Sequence, residues 1–173
     1  MTNYIKIIDT IKPFNKSIKV EGDKSLSIRW ALMASQAEGK SKSSNLLKSE
    51  DVINTLNCLK KLGIKVKFSK NYCEIFGRGI NGFDYKKKKI LNAGNSGTLA
   101  RLILGLLVHS KNIITIKGDK SLSKRDFLRV TEPLKKFGAK FKTNLGKLPI
   151  TIYGTKNPKP IRYNEKIGSA QCK

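Results

Sequence analysis

The chain repeats one pattern at a spacing of 75 residues, and this repeat restricts the possible folds more than any other feature. Residues 50–68, EDVINTLNCLKKLGIKVKF, are similar to residues 125–143, RDFLRVTEPLKKFGAKFKT. In both segments an amphipathic helical pattern ends at a glycine, Gly63 or Gly138, and a short alternating strand pattern follows. A glycine in this position is typical of a residue that closes a helix in the left-handed conformation. The repeat therefore predicts two copies of one helix–strand unit.

Each copy belongs to a longer unit of the order strand–helix–strand–helix–strand–strand. In the first unit the remaining elements are predicted at 17–22, 27–39, 41–47 and 72–77, and in the second unit at 88–94, 96–110, 112–118 and 148–154. A further strand-like segment, PIRYN at 160–164, indicates the start of a third unit. The predicted fold class is therefore α/β (α+β), built from repeated βαβαββ units. We expect the first unit at 21–84, the second at 85–155 and the beginning of the third at 156–173, after an N-terminal segment 1–20.

The charge of the chain predicts an anionic partner. The formal net charge is +24, with 36 Lys and Arg against 12 Asp and Glu. Such a surface attracts nucleic acid, acidic membranes or phosphorylated metabolites. The excess is mostly lysine and aromatic residues make up only 8%, whereas base recognition relies on arginine and stacked aromatic rings. The run KKKK at 86–89 is more typical of a solvated loop, so a nucleic-acid-binding module remains the alternative reading.

Two classes of protein are not indicated. No apolar run reaches the roughly 18 residues that a membrane-spanning helix needs. The three cysteines, Cys58, Cys73 and Cys172, are far apart and show no CxxC spacing, which argues against a disulfide framework or a metal site. We therefore expect a cytoplasmic protein with free thiols and no metal.

The phrase GDKSLS occurs twice, at 22–27 and 118–123, each time between a strand pattern and a helix pattern. The start of a helix presents free N–H groups and the positive end of the helix dipole, which together favour an anion. Lys24 and Arg29 flank the first start, and Lys124 and Arg125 flank the second, although cations oppose the dipole there. A bound phosphate or carboxylate would resolve this conflict. The other interpretation is ordinary capping, with Ser123 and Asp126 forming an S-x-x-D capping box.

A third turn, LNAGNSGTLARL at 91–102, is rich in glycine and also leads into a helix. Gly94 and Gly97 would let backbone N–H groups approach a ligand closely. Arg101 lies in the first turn of an otherwise apolar helix, where a half-buried guanidinium calls for an anionic partner. By contrast, GRGING at 77–82 matches a dinucleotide-binding pattern literally but no helix pattern follows it, so we predict a loop between the units. The single histidine, His109, is predicted to be structural.

In this order the motifs resemble those of the 5-enolpyruvylshikimate-3-phosphate synthase family. GDKSLSIR at 22–29 resembles the lysine–serine–x–serine–x–arginine signature of that family, and GNSGTLAR at 94–101 resembles its GNAGT-type segment. SLSKR at 121–125 resembles its second basic turn, and GSAQCK at 168–173 its serine–alanine–glutamine segment. The resemblance covers the chain from about residue 15. The sister family that acts on UDP-N-acetylglucosamine is a further alternative, but it lacks the KSLSxR turn.

The resemblance implies a fold and a reaction. The fold would be the inside-out α/β barrel of the enolpyruvyl transferases, with about two of the three units of the first domain present here and residues 1–20 pairing into the second domain. The reaction would be enolpyruvyl transfer from phosphoenolpyruvate to the 5-hydroxyl of shikimate 3-phosphate, in the shikimate pathway. The family needs no cofactor and no metal, and we expect a monomer. Its general acid/base carboxylate would lie in the second domain, beyond residue 173, so the chain alone is expected to be inactive.

The resemblance also assigns residues to the two substrates. The shikimate 3-phosphate side would comprise Lys24, Ser25, Arg29, Ser169, Ala170 and Gln171. The phosphoenolpyruvate side would comprise Lys24, Gly97, Arg125 and Gln171, with Asn95, Thr98 and Arg101 shaping the loop. Ala170 stands where many members have a serine, so it could contribute only its backbone. In the family, the glycine at the position of Gly97 leaves room for the herbicide glyphosate.

Overall fold

The structure is a computed structural model that describes residues 15–69 and 72–164, together with residues 5–6, 8, 10, 12–13 and 168. Within these ranges the helices are α1 (Lys24–Gln36), α2 (Glu50–Lys61), α3 (Gly97–Leu106), α4 (Lys120–Ser123) and α5 (Leu128–Lys136). The strands are β1 (Glu38–Ser44), β2 (Lys65–Phe68), β3 (Tyr72–Arg78), β4 (Lys89–Asn92), β5 (Ile114–Lys117), β6 (Lys140–Asn144) and β7 (Lys147–Tyr153). The chain is thus a mixed α/β protein, as the sequence predicts.

The second unit has the complete βαβαββ order. Its four strands form one sheet in the order β4-β5-β7-β6. β4 runs parallel to β5, with α3 as the connection, and β7 runs antiparallel to both β5 and β6. The chain forms these strands where β-branched and apolar residues alternate, as in ITIK and LPITIY, so that Ile114, Ile116, Ile150 and Ile152 all face the core.

The first unit forms a smaller sheet in the order β1-β3-β2, and both pairs are antiparallel. Its leading strand, predicted at 17–22, is not a strand in the structure. Ile18 is 82% exposed and Val20 is 66% exposed. The neighbouring strand β1 has the sequence EGKSKSS, which contains no apolar side chain against which they could pack. The strand expectation for 17–22 was therefore wrong.

The strand expected at 160–164 is also absent from the structure. Pro158 and Pro160 lack the backbone N–H that a strand must donate. The intervening Lys159 donates its N–H to the carbonyl of Phe137 instead, at 3.0 Å, which holds this segment against the end of α5.

The two repeated helices end as predicted. Gly63 follows α2 with φ +87°, and Gly138 follows α5 with φ +105°, so both adopt the left-handed conformation that favours glycine. The helix patterns of the four longer helices are all confirmed, with ends shifted by a few residues. GRGING is a loop after β3 with no helix behind it, as expected.

One apolar core joins the helices to the inner faces of the sheets. It contains Ile28 and Leu32 from α1, Leu56 and Leu59 from α2, and Leu99, Ile103 and Leu104 from α3, all at most 4% exposed. Burying one such side chain contributes about 1.5–3 kcal/mol relative to leaving it in water. This packing fixes α1, α2 and α3 against one another and thereby fixes the turns that precede them.

Candidate anion-binding site

The first GDKSLS turn begins α1. Asp23 is the N-cap, and its Oδ1 accepts the N–H of Leu26 at 2.7 Å. Lys24 extends from the start of the helix and pairs with Asp51 in the first turn of α2, with Nζ 3.2 Å from Oδ2. Arg29 folds back along the helix and donates from Nη1 to the carbonyl of Ser25 at 3.3 Å. Lys24, Ser25 and Arg29 therefore lie on one turn.

The second GDKSLS turn has the same N-cap as the first, but the helix that follows it is much shorter. Asp119 Oδ1 accepts the N–H of Leu122 at 2.7 Å, as Asp23 does for Leu26. The helix it caps, α4, ends after four residues at Ser123. The second copy was expected to lead directly into the second helix of its unit, but α5 begins separately at Leu128.

The capping box of Ser123 and Asp126, which was the alternative interpretation of this turn, does not form. Ser123 lies at the end of α4, and its Oγ donates to the carbonyl of Gly118 at 3.4 Å. Asp126 Oδ1 accepts the N–H of Leu128 two residues later, at 2.9 Å. A capping box needs both residues at the start of the same helix. Here Ser123 ends α4, and Asp126 precedes the start of α5.

The glycine turn, residues 94–98, joins β4 to α3 and lies against the second GDKSLS turn. The N–H of Asp119 donates to the carbonyl of Gly94 at 2.8 Å. The side-chain amide of Asn95 bridges Asp119 and Arg125: its Nδ2 donates to Asp119 Oδ2 at 2.6 Å, and its Oδ1 accepts Arg125 Nη2 at 3.0 Å. Ser96 caps α3 by accepting the N–H of Leu99 at 3.3 Å. The half-buried Thr98 follows in the first turn of the helix.

Two guanidinium groups meet at Gly97. A Cβ placed on this glycine would lie 2.7 Å from Arg101 Nη1 and 3.2 Å from Arg125 Nη1. Arg101 donates from Nη2 to the carbonyl of Asp126 at 3.0 Å, and its guanidinium lies 4.6 Å from the centre of the Phe127 ring. The absence of a side chain at Gly97 therefore leaves the space that the two guanidinium groups border.

The charges around Gly97 act on one another. Burial lowers the pKa of the Arg101 guanidinium, and the nearby Arg125 and Arg129 lower it further, whereas Asp126 opposes them. Like charges that lie this close repel, so an anion placed among them is stabilised. Among the described residues no carboxylate pairs with Arg101. Its guanidinium instead donates to the backbone carbonyls of Gly97 and Asp126.

The first turn of α2 contacts both the first GDKSLS turn and the glycine turn. Asp51 pairs with Lys24. A Cβ on Gly94 would overlap Asn54 Nδ2 and would lie 3.5 Å from Glu50 Oε1. The structure thus joins the three basic turns through α2. Lys24, Ser25 and Arg29 lie at the start of α1, whereas Asn95, Gly97, Thr98, Arg101 and Arg125 lie in or beside the glycine turn. Ser169, Ala170 and Gln171 lie outside the described residues.

Sequence reasoning overlooked the acids that hold these cations, Asp51 and Asp119. Asp51 could not have been found from spacing, because its contact with Lys24 spans 27 residues and depends on how α1 packs on α2. The duplicated Asp of GDKSLS was a usable signal, since an aspartate just before a helix is a common N-cap.

The part of the chain that the structure describes contains neither a metal-binding cluster nor a membrane-spanning helix. No group of three or more His, Cys, Asp or Glu side chains there could hold a metal ion. The helices found among those residues are all too short or too polar to cross a membrane.

The fold and these turns define a class: an α/β protein of repeated units in which basic helix-start turns are linked through α2, with an open space at Gly97 that two guanidinium groups border. Comparison with known proteins makes the class specific. Residues 8–173 match the family model described as EPSP synthase (3-phosphoshikimate 1-carboxyvinyltransferase). The chain therefore belongs to the EPSP synthase family.

Individual relatives agree with this assignment. The 3-phosphoshikimate 1-carboxyvinyltransferase of Streptococcus mutans is 41% identical over 91% of this chain and 37% of its own length. The Streptococcus suis enzyme of the same name is 40% identical over 98% of this chain and 40% of its own. A solved structure of EPSP synthase from Acinetobacter baumannii superposes with a TM-score of 0.84 at 35% identity, over 90% of this chain and 35% of that one. The chain thus spans about two fifths of the curated relatives that it matches.

Proposed function

We propose that this chain supplies the substrate-binding turns of the first domain of a 3-phosphoshikimate 1-carboxyvinyltransferase. The observation that carries the proposal is the meeting of Arg101, Arg125 and Gly97 at the glycine turn, joined through α2 to Lys24. The complete enzyme would transfer the enolpyruvyl group of phosphoenolpyruvate to the 5-hydroxyl of shikimate 3-phosphate and release phosphate.

The residue roles follow the two groups of turns that α2 joins. Lys24, Ser25 and Arg29 would bind shikimate 3-phosphate, and Lys24 would also touch phosphoenolpyruvate. Gly97 and Arg125 would bind phosphoenolpyruvate, in a space bordered by Arg101, Asn95 and Thr98. Ser169, the backbone of Ala170, and Gln171 would complete the shikimate 3-phosphate side, with Gln171 facing both substrates.

The reaction requires two anions to lie side by side. The 5-hydroxyl oxygen bonds to C2 of phosphoenolpyruvate while its own proton leaves and C3 gains a proton, which gives a tetrahedral intermediate. Phosphate then departs from C2, and C3 loses a proton to restore the vinyl group. Two unit charges 4 Å apart near a protein surface repel by about 4 kcal/mol. Fixed cations on both sides offset this cost and orient the reacting atoms.

The wider organisation is part of the proposal. We assign residues 21–84 to a first unit, which lacks its leading strand here, and residues 85–155 to a complete βαβαββ unit. We assign residues 156–173 to the beginning of a third unit and residues 1–20 to pairing with a second domain. That domain would supply the general acid/base carboxylate. We further propose that the enzyme is a cytoplasmic monomer whose ligands are small anions and not nucleic acid.

A calorimetric or NMR titration of the 173-residue chain tests the shikimate 3-phosphate half of the site. Shikimate 3-phosphate should bind more tightly than inorganic phosphate at equal ionic strength, and Arg29→Ala should abolish the difference. Arg78→Ala is the matched control, because Arg78 pairs with Asp84 in the loop after β3, outside the three turns. Equal responses to both ligands, from a chain whose circular dichroism melt is cooperative, would contradict the proposal.

A further inference from the structure

We propose that Asp119 is a positioning residue that holds Arg125 beside Gly97 through the side-chain amide of Asn95. The consequence for phosphoenolpyruvate binding rests on the proposed function. The positioning itself is a property of this chain and can be tested without any ligand.

The geometry assigns a separate task to each oxygen of the Asp119 carboxylate. Oδ1 caps α4 by accepting the N–H of Leu122, and Oδ2 accepts Nδ2 of Asn95 at 2.6 Å. Because a carboxylate only accepts hydrogen bonds, it fixes which end of the Asn95 amide faces it. The oxygen of that amide is then turned toward Arg125, whose Nη2 it accepts at 3.0 Å.

The other copy of the motif shows that capping alone does not require this arrangement. Asp23 occupies the same place in GDKSLS and caps α1 with the same 2.7 Å bond. Among the described residues no side chain donates to the Asp23 carboxylate, although Ser27 Oγ donates to the Asp23 backbone carbonyl at 2.6 Å. The neighbouring Lys24 is held directly by Asp51. The bridge through an amide therefore belongs to the second copy, where the cation to be held, Arg125, is six residues farther along the chain.

Arg125 needs such a restraint because a second guanidinium, that of Arg101, repels it. Its side chain is exposed, and the guanidinium of Arg101 also lies next to the Gly97 position. A long exposed side chain beside a like charge moves into solvent unless a partner holds it. An acid in direct contact would neutralise Arg125, whereas Asn95 holds Nη2 with a neutral oxygen. Nη1 then stays directed at the space next to Gly97.

The charge state of Asp119 suits this role. The N–H of Leu122 lowers the pKa of its carboxyl most, followed by the Asn95 amide, the N–H of Ser121 and Arg125. The pKa of Asp119 therefore lies below the pKa of an ordinary aspartate, about 3.9, and its carboxylate is ionised at neutral pH. The Asn95 amide is consequently held in one orientation throughout the neutral range.

Asp119→Ser separates positioning from capping, because serine is also a good N-cap but has no second oxygen. We expect the Asn95 side-chain amide protons to shift upfield and the separate guanidinium signals of Arg125 to merge in NMR spectra. Phosphoenolpyruvate should bind about tenfold more weakly, as expected for the loss of one well-oriented charged contact. Asp23→Ser, the same exchange in the other copy, should leave the Asn95 and Arg125 signals unchanged.

A second pair of variants keeps the test decisive. Asp119→Asn is isosteric and retains the cap, but its amide can present a donor to Asn95, so it should release Arg125 as Asp119→Ser does. Asn95→Ala leaves the cap untouched and should give the same Arg125 signals, even if an Asp119 variant fails to fold. Unchanged Arg125 signals in Asn95→Ala, or in a folded Asp119→Ser, would overturn the positioning role.

The two proposals fail in different ways. If the unaltered chain binds phosphoenolpyruvate no better than inorganic phosphate, the proposed function is contradicted while the NMR test of positioning still stands. If the unaltered chain binds selectively and Asp119→Ser binds equally well, the positioning role in ligand binding is wrong and the proposed function survives.

Discussion

At the scale of single residues, Gly97 sets how much space remains between two guanidinium groups. It is the first residue of α3, and it does not require the left-handed conformation that would exclude other residues. The atoms nearest to a Cβ at this position are the ends of two flexible side chains, Arg101 and Arg125. A larger residue is therefore compatible with the helix but not with the present positions of these groups.

We predict that Gly97→Ala leaves the chain folded and displaces both guanidinium groups. Arg101 must give way because its Nη1 would lie only 2.7 Å from the new methyl group. Unfolding in urea should show a change of less than about 1 kcal/mol, since alanine is the better helix former by a similar amount. Phosphoenolpyruvate binding should weaken. Gly105→Ala is the control in the same helix: nothing lies within 4 Å of its Cβ, so ligand binding should not change.

Gly97→Ala should also change how strongly glyphosate inhibits the enzyme. In a complete family member that carries this segment, glyphosate should inhibit the enzyme, and Gly97→Ala should relieve the inhibition because the methyl group occupies part of the space beside Arg125. Inhibition constants for the two enzymes, measured with Gly105→Ala alongside, test this. Equal inhibition of all three would show that the space at Gly97 does not receive the herbicide.

The two described cysteines predict how stability depends on alkaline pH. Burial raises the pKa of the Cys58 thiol from 9.0 to about 11, and burial likewise raises that of Cys73 to about 11. Between pH 9 and 11 the unfolded thiols lose protons that the folded thiols keep, so the free energy of unfolding should fall as the pH rises through this window. Urea unfolding at several pH values measures it. A double Cys→Ala variant should lose this part of the pH dependence.

At the scale of elements, the repeat yields a matched pair of glycines. Gly63 and Gly138 close the repeated helices α2 and α5 in the same left-handed conformation. Their surroundings differ, however. A Cβ on Gly63 would overlap the carbonyl oxygen of Asp84, whereas the atom nearest to a Cβ on Gly138 would be the side-chain Oγ1 of Thr155, at 3.4 Å.

We predict that Gly63→Ala is the more damaging of the two exchanges. Both variants incur the cost of a left-handed alanine, about 1–2 kcal/mol. Gly63→Ala also forces the backbone at Asp84 to move, which adds about 1–3 kcal/mol by analogy with overpacked cores. The free energies of unfolding of the two variants, each compared with the unaltered chain, provide the test. An equal loss would mean that conformation alone decides the cost at both sites.

The sequence predicted most elements, and the failures have physical causes. The complete second unit and both helix-closing glycines followed from periodicity and from the conformational preference of glycine. The strands expected at 17–22 and 160–164 failed because local patterns do not show whether a partner strand or a packing surface exists. At the site, motif spacing located the three basic turns, but the Asp119–Asn95–Arg125 bridge depends on how those turns pack and could not be seen.

At the scale of the whole molecule, the net charge of +24 causes nonspecific binding of anions, which must be distinguished from binding at any specific site. A cationic surface binds every polyanion to some degree, and this binding weakens steeply with salt. A site that binds a small ligand through a few oriented groups depends on salt far less, because few counterions are released.

Salt dependence should therefore separate the proposed site from the surface charge. Between 50 and 200 mM salt we expect single-stranded oligonucleotide binding to fall by about a thousandfold or more, as for proteins that make at least six phosphate contacts. Shikimate 3-phosphate binding should fall by less than about tenfold. Fluorescence anisotropy and calorimetry measure the two. Salt-resistant, tight oligonucleotide binding would favour the nucleic-acid-binding alternative.

The last prediction concerns turnover, because binding and catalysis belong to different parts of the proposed enzyme. The described turns supply cations and backbone donors, which hold and orient anions, but the protonation of C3 needs an acid/base carboxylate that we assign to the second domain. The 173-residue chain should therefore bind shikimate 3-phosphate yet release no phosphate from a mixture with phosphoenolpyruvate. A phosphate-release assay with product detection by mass spectrometry tests this, and an enzyme of full family length serves as the positive control. Product formation that disappears in Arg125→Ala would show that the catalytic carboxylate lies within this chain, since a contaminating enzyme would be unaffected by that exchange.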